Sequence, residues 1–125
     1  MEYSKLVYIA SPYAGDVEAN VAFAKAACRY AIEQGATPVA VHLLYPQLLD
    51  DSVPAEREMG LQMGLRVLEA CDELWLCGER ISQGMRAEFS TAKQMGIPVI
   101  RLPDIPIETQ MQCQQPVAAA QTQAM

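Results

Sequence analysis

Four short runs of apolar, β-forming residues alternate along this chain with three stretches whose apolar residues recur at helical spacing. The run Lys5-Leu6-Val7-Tyr8-Ile9-Ala10 comes first and stops at the turn-rich Ser11-Pro12-Tyr13-Ala14-Gly15-Asp16. The others are Thr37-Pro38-Val39-Ala40-Val41, Glu73-Leu74-Trp75-Leu76-Cys77 and Ile97-Pro98-Val99-Ile100-Arg101-Leu102. Strands joined through helices make right-handed crossovers and lie parallel. The alternation therefore predicts an α/β fold of flavodoxin or Rossmann type, with three layers and a four-stranded parallel sheet in the order 2-1-3-4. In that order the chain changes direction across the sheet between strands 1 and 3, and a crevice opens at their carboxyl ends. The loops after those strands, 11–16 and 78–88, are where a ligand is expected.

The helical stretches carry their own punctuation. Asp16 is a good N-cap for the first, whose stripe is Val17, Val21, Ala24, Cys28, Ala31 and Ile32, and Gly35 ends it. Asp51 or Ser52 can cap the second, with Pro54 in its first turn and Leu61, Leu65 and Leu68 on one face. Met85, Phe89 and Ala92 mark the third, after a polar loop at 78–84, and Gly96 closes it. Gly60 and Gly64 each cost the second helix roughly 1 kcal/mol, which close packing would explain. Residues 1–105 read as one domain. Residues 106–125 read as a flexible tail, because the Gln/Ala-rich stretch from Gln110 shows no core face.

With 51% hydrophobic residues and a mean hydropathy of +0.05, the composition is that of a soluble globular domain. No apolar run nears the ~18–20 residues of a spanning helix, and the start lacks the basic-then-apolar layout of a secretory leader. A cytoplasmic protein without a membrane partner is the expectation. The net charge of −6 argues against nucleic acid, since polyphosphate is held mainly by Lys and Arg. Cys28, Cys71, Cys77 and Cys113 form no CxxC pair and there is one histidine, so reduced core thiols are expected and a zinc site is not.

Within the second loop, Gly84 permits close approach of backbone to a ligand, and the helix start after it offers N–H groups to an anion. Glu88 follows one turn later on the same face. Read alone, Glu88 is compatible with a solvated carboxylate; its place at the crevice favours a functional one. Ser11 and Tyr13 flank the same crevice as turn or packing residues or as ligand contacts. Tyr8 lies near the end of strand 1 and His42 at the end of strand 2.

Three segments together, Tyr8-Ile9-Ala10-Ser11-Pro12-Tyr13, Ala70-Cys71-Asp72 and Ser82-x-Gly84-x-x-x-Glu88, resemble the nucleoside 2-deoxyribosyltransferase superfamily. Within it, the chain resembles a small bacterial and phage branch related to nucleoside 5′-monophosphate N-glycosidases. The resemblance spans residues 5–102. It implies Glu88 as a nucleophile on C1′ of a nucleoside or nucleotide, with Tyr8 orienting it. It implies Ser82, as serine rather than aspartate, as a donor to a 5′-phosphate, with Ser11 as a second donor and Gly84 beside them. An oxocarbenium-like transition state explains the carboxylate, which stabilises developing positive charge before forming the ester bond.

Two positions depart from the superfamily. Gly64 stands where relatives carry an acid/base aspartate, and Arg86 stands where several carry a small or apolar residue. His42 is then the best candidate to assist base departure, with Glu58 weaker, while Arg86 becomes either a phosphate contact or a surface charge. The expected function is an N-glycosidase or transferase on a nucleoside 5′-monophosphate, without metal or organic cofactor. It is expected to act as a homo-oligomer, dimer or higher, because relatives complete their clefts from a neighbouring subunit. The alternative is a nucleotide-binding module that keeps the cleft without catalysis.

Overall fold

The computed structural model describes residues 4–105, so the tail expected at 106–125, with Cys113, lies outside the described residues. The elements are β1 (Leu6–Ala10), α1 (Val17–Glu33), β2 (Thr37–Val39), two 3-10 turns (Val41–Leu43 and Tyr45–Gln47), α2 (Pro54–Glu69), β3 (Glu73–Cys77), α3 (Gln83–Met95) and β4 (Val99–Leu102). The strands form one parallel sheet in the order β2-β1-β3-β4, as the alternation predicts.

Period-two alternation builds the three layers. Tyr8, Ala10, Leu74 and Leu76 face α2 and α3 and share a buried cluster with Leu68, Met85 and Ala92. Val7, Ile9, Trp75 and Cys77 turn the other way and pack with Ala26, Ala27 and Ala31 of α1. Both faces of the central strands are covered, which is why these runs read as almost wholly apolar. Ile105, at the end of the described chain, is 5% exposed and belongs to the α1-side cluster. Cys71 and Cys77 are buried thiols, pushed by burial to about 11 and about 12, and are thiol rather than thiolate at neutral pH. Among the described residues no helix is long and apolar enough to cross a membrane.

Side chains fix the ends of the sheet. Asp72 accepts from Leu6 N–H at 2.8 Å through its carboxylate and returns its own N–H to the Leu6 carbonyl at 2.7 Å. The residue just before β3 thus holds the start of β1. At the opposite end Arg101 donates to the carbonyls of Leu76 and Glu79, each at 3.0 Å, tying edge strand β4 to the loop that leaves β3. That loop starts at Gly78, whose φ is +95° and where a Cβ would lie 3.2 Å from the Phe23 ring. Only glycine takes this backbone without strain.

Several expected boundaries move. β2 ends at Val39 rather than 41, because an edge strand paired only with β1 gains little beyond Tyr8. The chain curls instead, with Leu43 and Leu44 N–H groups donating to Ala40 and Val41 carbonyls. His42 therefore sits in a 3-10 turn and not on the strand. β4 starts at Val99 because Pro98 has no N–H for the ladder, although its carbonyl accepts from Leu74. Asp16 caps α1 as expected, accepting from Ala19 N–H at 3.1 Å. Neither Asp51 nor Ser52 caps α2. Ser52 turns back to Asp50, leaving Val53 as N-cap, and Pro54 stands at the helix start, where a donor is not needed. On that helix Leu68 is fully buried and Leu65 partly, but Leu61 is 42% exposed and is no core residue. α3 begins at Gln83, so Gly84 lies in its first turn rather than in the loop, and Phe89 is 40% exposed.

Candidate active site

Tyr8 and Glu88 meet beneath the crevice that the strand order opens. Tyr8 is in the second strand of the sheet and faces α2 and α3 with no exposure. Its hydroxyl donates to Glu88 Oε2 at 2.6 Å, across 80 residues of sequence. Glu88 is on the inner face of α3 and 5% exposed. Its other oxygen, Oε1, is buried and has no hydrogen-bond partner among the described residues. Burial pushes the Glu88 carboxyl up to about 7 against the opposing pull of the Tyr8 hydrogen bond. Burial and the neighbouring carboxylate push the Tyr8 hydroxyl well above its ordinary range, so it remains a donor.

Above the pair lies a cavity of about 660 Å³ that both line, within the size range of small-molecule sites. Tyr13 from the first loop and His42 from the 3-10 turn form one wall, their rings stacked with centroids 5.7 Å apart and 22° between planes. Burial holds His42 below its ordinary value, with Asp51 pulling the other way, so the ring is neutral at pH 7. α2 forms the opposite wall with Glu56, Gly60 and Gly64, four residues apart and therefore on one face. The two glycines let neighbouring side chains pack closely on this wall. A Cβ at 64 would lie 3.2 Å from Tyr8 Oη, and one at 60 would lie 3.4 Å from Leu49.

The third wall is the start of α3. Ser82 is its N-cap: Oγ accepts from Met85 N–H at 3.2 Å, and Ser82 N–H reaches Met85 Sδ at 3.4 Å. Because Oγ accepts there, its own proton is available to a ligand. The N–H groups of Gln83 and Gly84 have no acceptor among the described residues, and nothing crowds Gly84 more closely than Ser82 Oγ at 4.0 Å. Two free N–H groups and a hydroxyl meet there, at the positive end of a helix dipole, and Arg80 also lines the cavity.

Tyr8, Tyr13, His42, Ser82, Gly84 and Glu88 thus line one cavity, and Ser11 and Arg86 do not. Ser11 is 2% exposed; the alternation that turns Tyr8 and Ala10 toward the cavity turns Val7 and Ile9 away, and Ser11 is the next odd position. Arg86 is exposed and two residues from Glu88, about 200° around α3. Arg80 lines the cavity instead, in a loop that strand order singles out but that reads in sequence only as polar. Arg57, Glu56 and Tyr45 also line the cavity and stand outside the expected site. Arg57 stands 4.0 Å from Asp51, a weak exposed pair. Residues 5–102 match a family described as a domain of unknown function (DUF7768). The comparison with curated proteins finds no match.

Proposed function

This chain belongs to the DUF7768 family, and we propose that it acts on the N-glycosidic bond of a nucleoside 5′-monophosphate, with Glu88 as nucleophile. One observation carries the reading. A buried carboxylate has one oxygen tied to Tyr8 and the other unpartnered, on a cavity of nucleotide size. Leaving a buried polar atom without a partner costs about 1–3 kcal/mol, more for a charge, and the arrangement suits an atom whose partner arrives with the ligand. The resemblance to the nucleoside 2-deoxyribosyltransferase superfamily supports the same assignment.

In the proposed reaction Oε1 attacks C1′, and the C1′–N bond breaks with its electron pair leaving on the base. The departing base takes up a proton from solvent, which the hydrolysis by water later returns. The glycosyl ester then yields to water in a hydrolase or to another base in a transferase. Tyr8 holds Oε2 and keeps the carboxylate aimed. The phosphate is held by Ser82 Oγ–H, the Gln83 and Gly84 N–H groups and Arg80, a local positive site in a chain of net charge −6. The Tyr13–His42 stack gives the base a flat wall, and His42, being neutral, assists departure as a hydrogen-bond donor rather than as a strong acid. In this reading the protein works in the cytoplasm, as a homo-oligomer.

A second reading has one observation in its favour. Gly64 puts no second carboxylate beside Tyr8 and Glu88, which suits a nucleotide-binding module without turnover. Incubating the chain with a panel of nucleoside 5′-monophosphates and separating free base by chromatography decides between them. Base release that disappears in Glu88→Ala supports the enzyme. Tight binding without release supports the module, and neither binding nor release refutes both.

A further inference from the structure

The loop at 11–16 carries Tyr13 to the cavity and has no regular structure of its own. Its backbone turns through Gly15, whose φ is +101°, before Asp16 caps α1. One side chain from outside the cavity holds it. Asn20, half-buried in the first turn of α1, donates from Nδ2 to the Tyr13 carbonyl at 2.9 Å and to the Ala14 carbonyl at 3.0 Å. Both partners are acceptors, so the amide has to present its nitrogen. The Asn20 N–H donates to the Asp16 carbonyl at 2.9 Å, which seats the clamp in the helix. Among the described residues no other side chain hydrogen-bonds to Tyr13 or Ala14. From this clamped backbone the Tyr13 ring reaches His42, with centroids 5.7 Å apart and 22° between planes. A stack of two rings carried on irregular segments is only as exact as the backbone beneath each.

We propose that Asn20 is a positioning residue of the site. It pins the backbone under Tyr13 and so keeps the Tyr13–His42 pair as one flat wall for the base; the part played by the base rests on the nucleotide reading above. The phosphate is held from another wall, by the start of α3, to which Asn20 makes no hydrogen bond. Loss of the clamp therefore weakens the hold on the base and spares the sugar phosphate.

The test uses the full chain. His42 is its one histidine, so the Cε1 proton gives an unambiguous line in a proton NMR spectrum. In the wild type that line carries the ring-current shift of Tyr13, and Tyr13→Leu defines its size. Asn20→Ala is expected to lose most of that shift. Asn20→Asp keeps the volume, exchanges the donor for an acceptor and suits the positive end of α1, so it should stay folded and lose the shift too. In calorimetry both variants are expected to bind AMP about two- to tenfold more weakly, the worth of one aromatic pair, and ribose 5-phosphate as tightly as wild type. A His42 line that stays in place in both variants overturns the inference. So does an equal loss of affinity for AMP and ribose 5-phosphate, which would make Asn20 merely structural. If neither AMP nor CMP binds the wild type, the nucleotide reading falls, and the His42 line alone decides whether Asn20 sets the wall.

Discussion

Replacing Glu88 with glutamine should make this protein more stable, by an amount set by pH. In the unfolded chain the carboxyl titrates near 4.5, and in the fold near 7. Below 4.5 both states hold the proton, and the group's contribution to stability is at its full value. Between 4.5 and 7 the unfolded chain loses the proton while the folded one keeps it, so stability falls as pH rises, and above 7 the loss is complete. The gap corresponds to roughly 3 kcal/mol. In Glu88→Gln the new amide fills the same volume, can accept from Tyr8, and does not ionise. The depressed titration of His42 gives stability the opposite trend below 6.5, but it is common to both proteins and cancels in their difference. Thermal melts of the two proteins should nearly coincide at pH 4.5 and separate progressively up to pH 8. There the variant should melt on the order of 10 °C higher, at several degrees per kcal/mol for a domain this size. The same variant should release no base. Melting curves that stay parallel from pH 4.5 to 8 would show that Glu88 is not held protonated by burial, and the reasoning would fail at its root.

Three further outcomes are expected. Ser82→Asp keeps an N-cap oxygen for Met85 but sets a carboxylate against the phosphate site. It should leave the melt within about 1 kcal/mol of wild type while removing any preference for a monophosphate over its nucleoside in calorimetry. Arg80→Ala should weaken monophosphate binding roughly tenfold or more, as expected for loss of a charge-assisted hydrogen bond, and leave nucleoside binding alone; Arg86→Ala should change neither, and the reverse pattern would transfer the role to Arg86. Asp72→Ala frees Leu6 N–H at the start of β1 and should cost about 1–2 kcal/mol in a denaturant melt, with nucleotide affinity unchanged.

The sheet was legible because its strands are buried on both faces and leave uninterrupted apolar runs, as in Val7-Tyr8-Ile9-Ala10 and Leu74-Trp75-Leu76-Cys77. The first helix showed its cap in local chemistry, Asp16, while Ser82, the cap of the third, was read as part of the loop before it. The segment from His42 to Val53 was poorly legible, because its structure comes from 3-10 turns and from a turn in which Ser52 serves Asp50 instead of the helix. For the site, strand order and the Gly84–Glu88 spacing pointed to the loops and helix start that line one cavity with Tyr8. Period-two alternation could have separated Tyr8 from Ser11, and helical phase could have set Arg86 apart from Glu88. Helical phase could also have joined Glu56 to Gly60 and Gly64 on one face of α2, whereas Arg80 reaches the cavity from a loop, where neither period constrains direction.

The bond between Tyr8 and Glu88 also sets an order of events in the life of the chain. The strand that carries Tyr8 leaves the ribosome well before its carboxylate partner, which lies 80 residues behind it. Until α3 docks, Glu88 is in water with ordinary acidity, so the electrostatic burden falls on that late step and grows as the surroundings become more alkaline. A chain divided between α2 and β3 would leave Tyr8 in one fragment and Glu88 in the other. Neither fragment could hold the carboxyl near 7, and the return of that titration on mixing would report reassembly of the two halves.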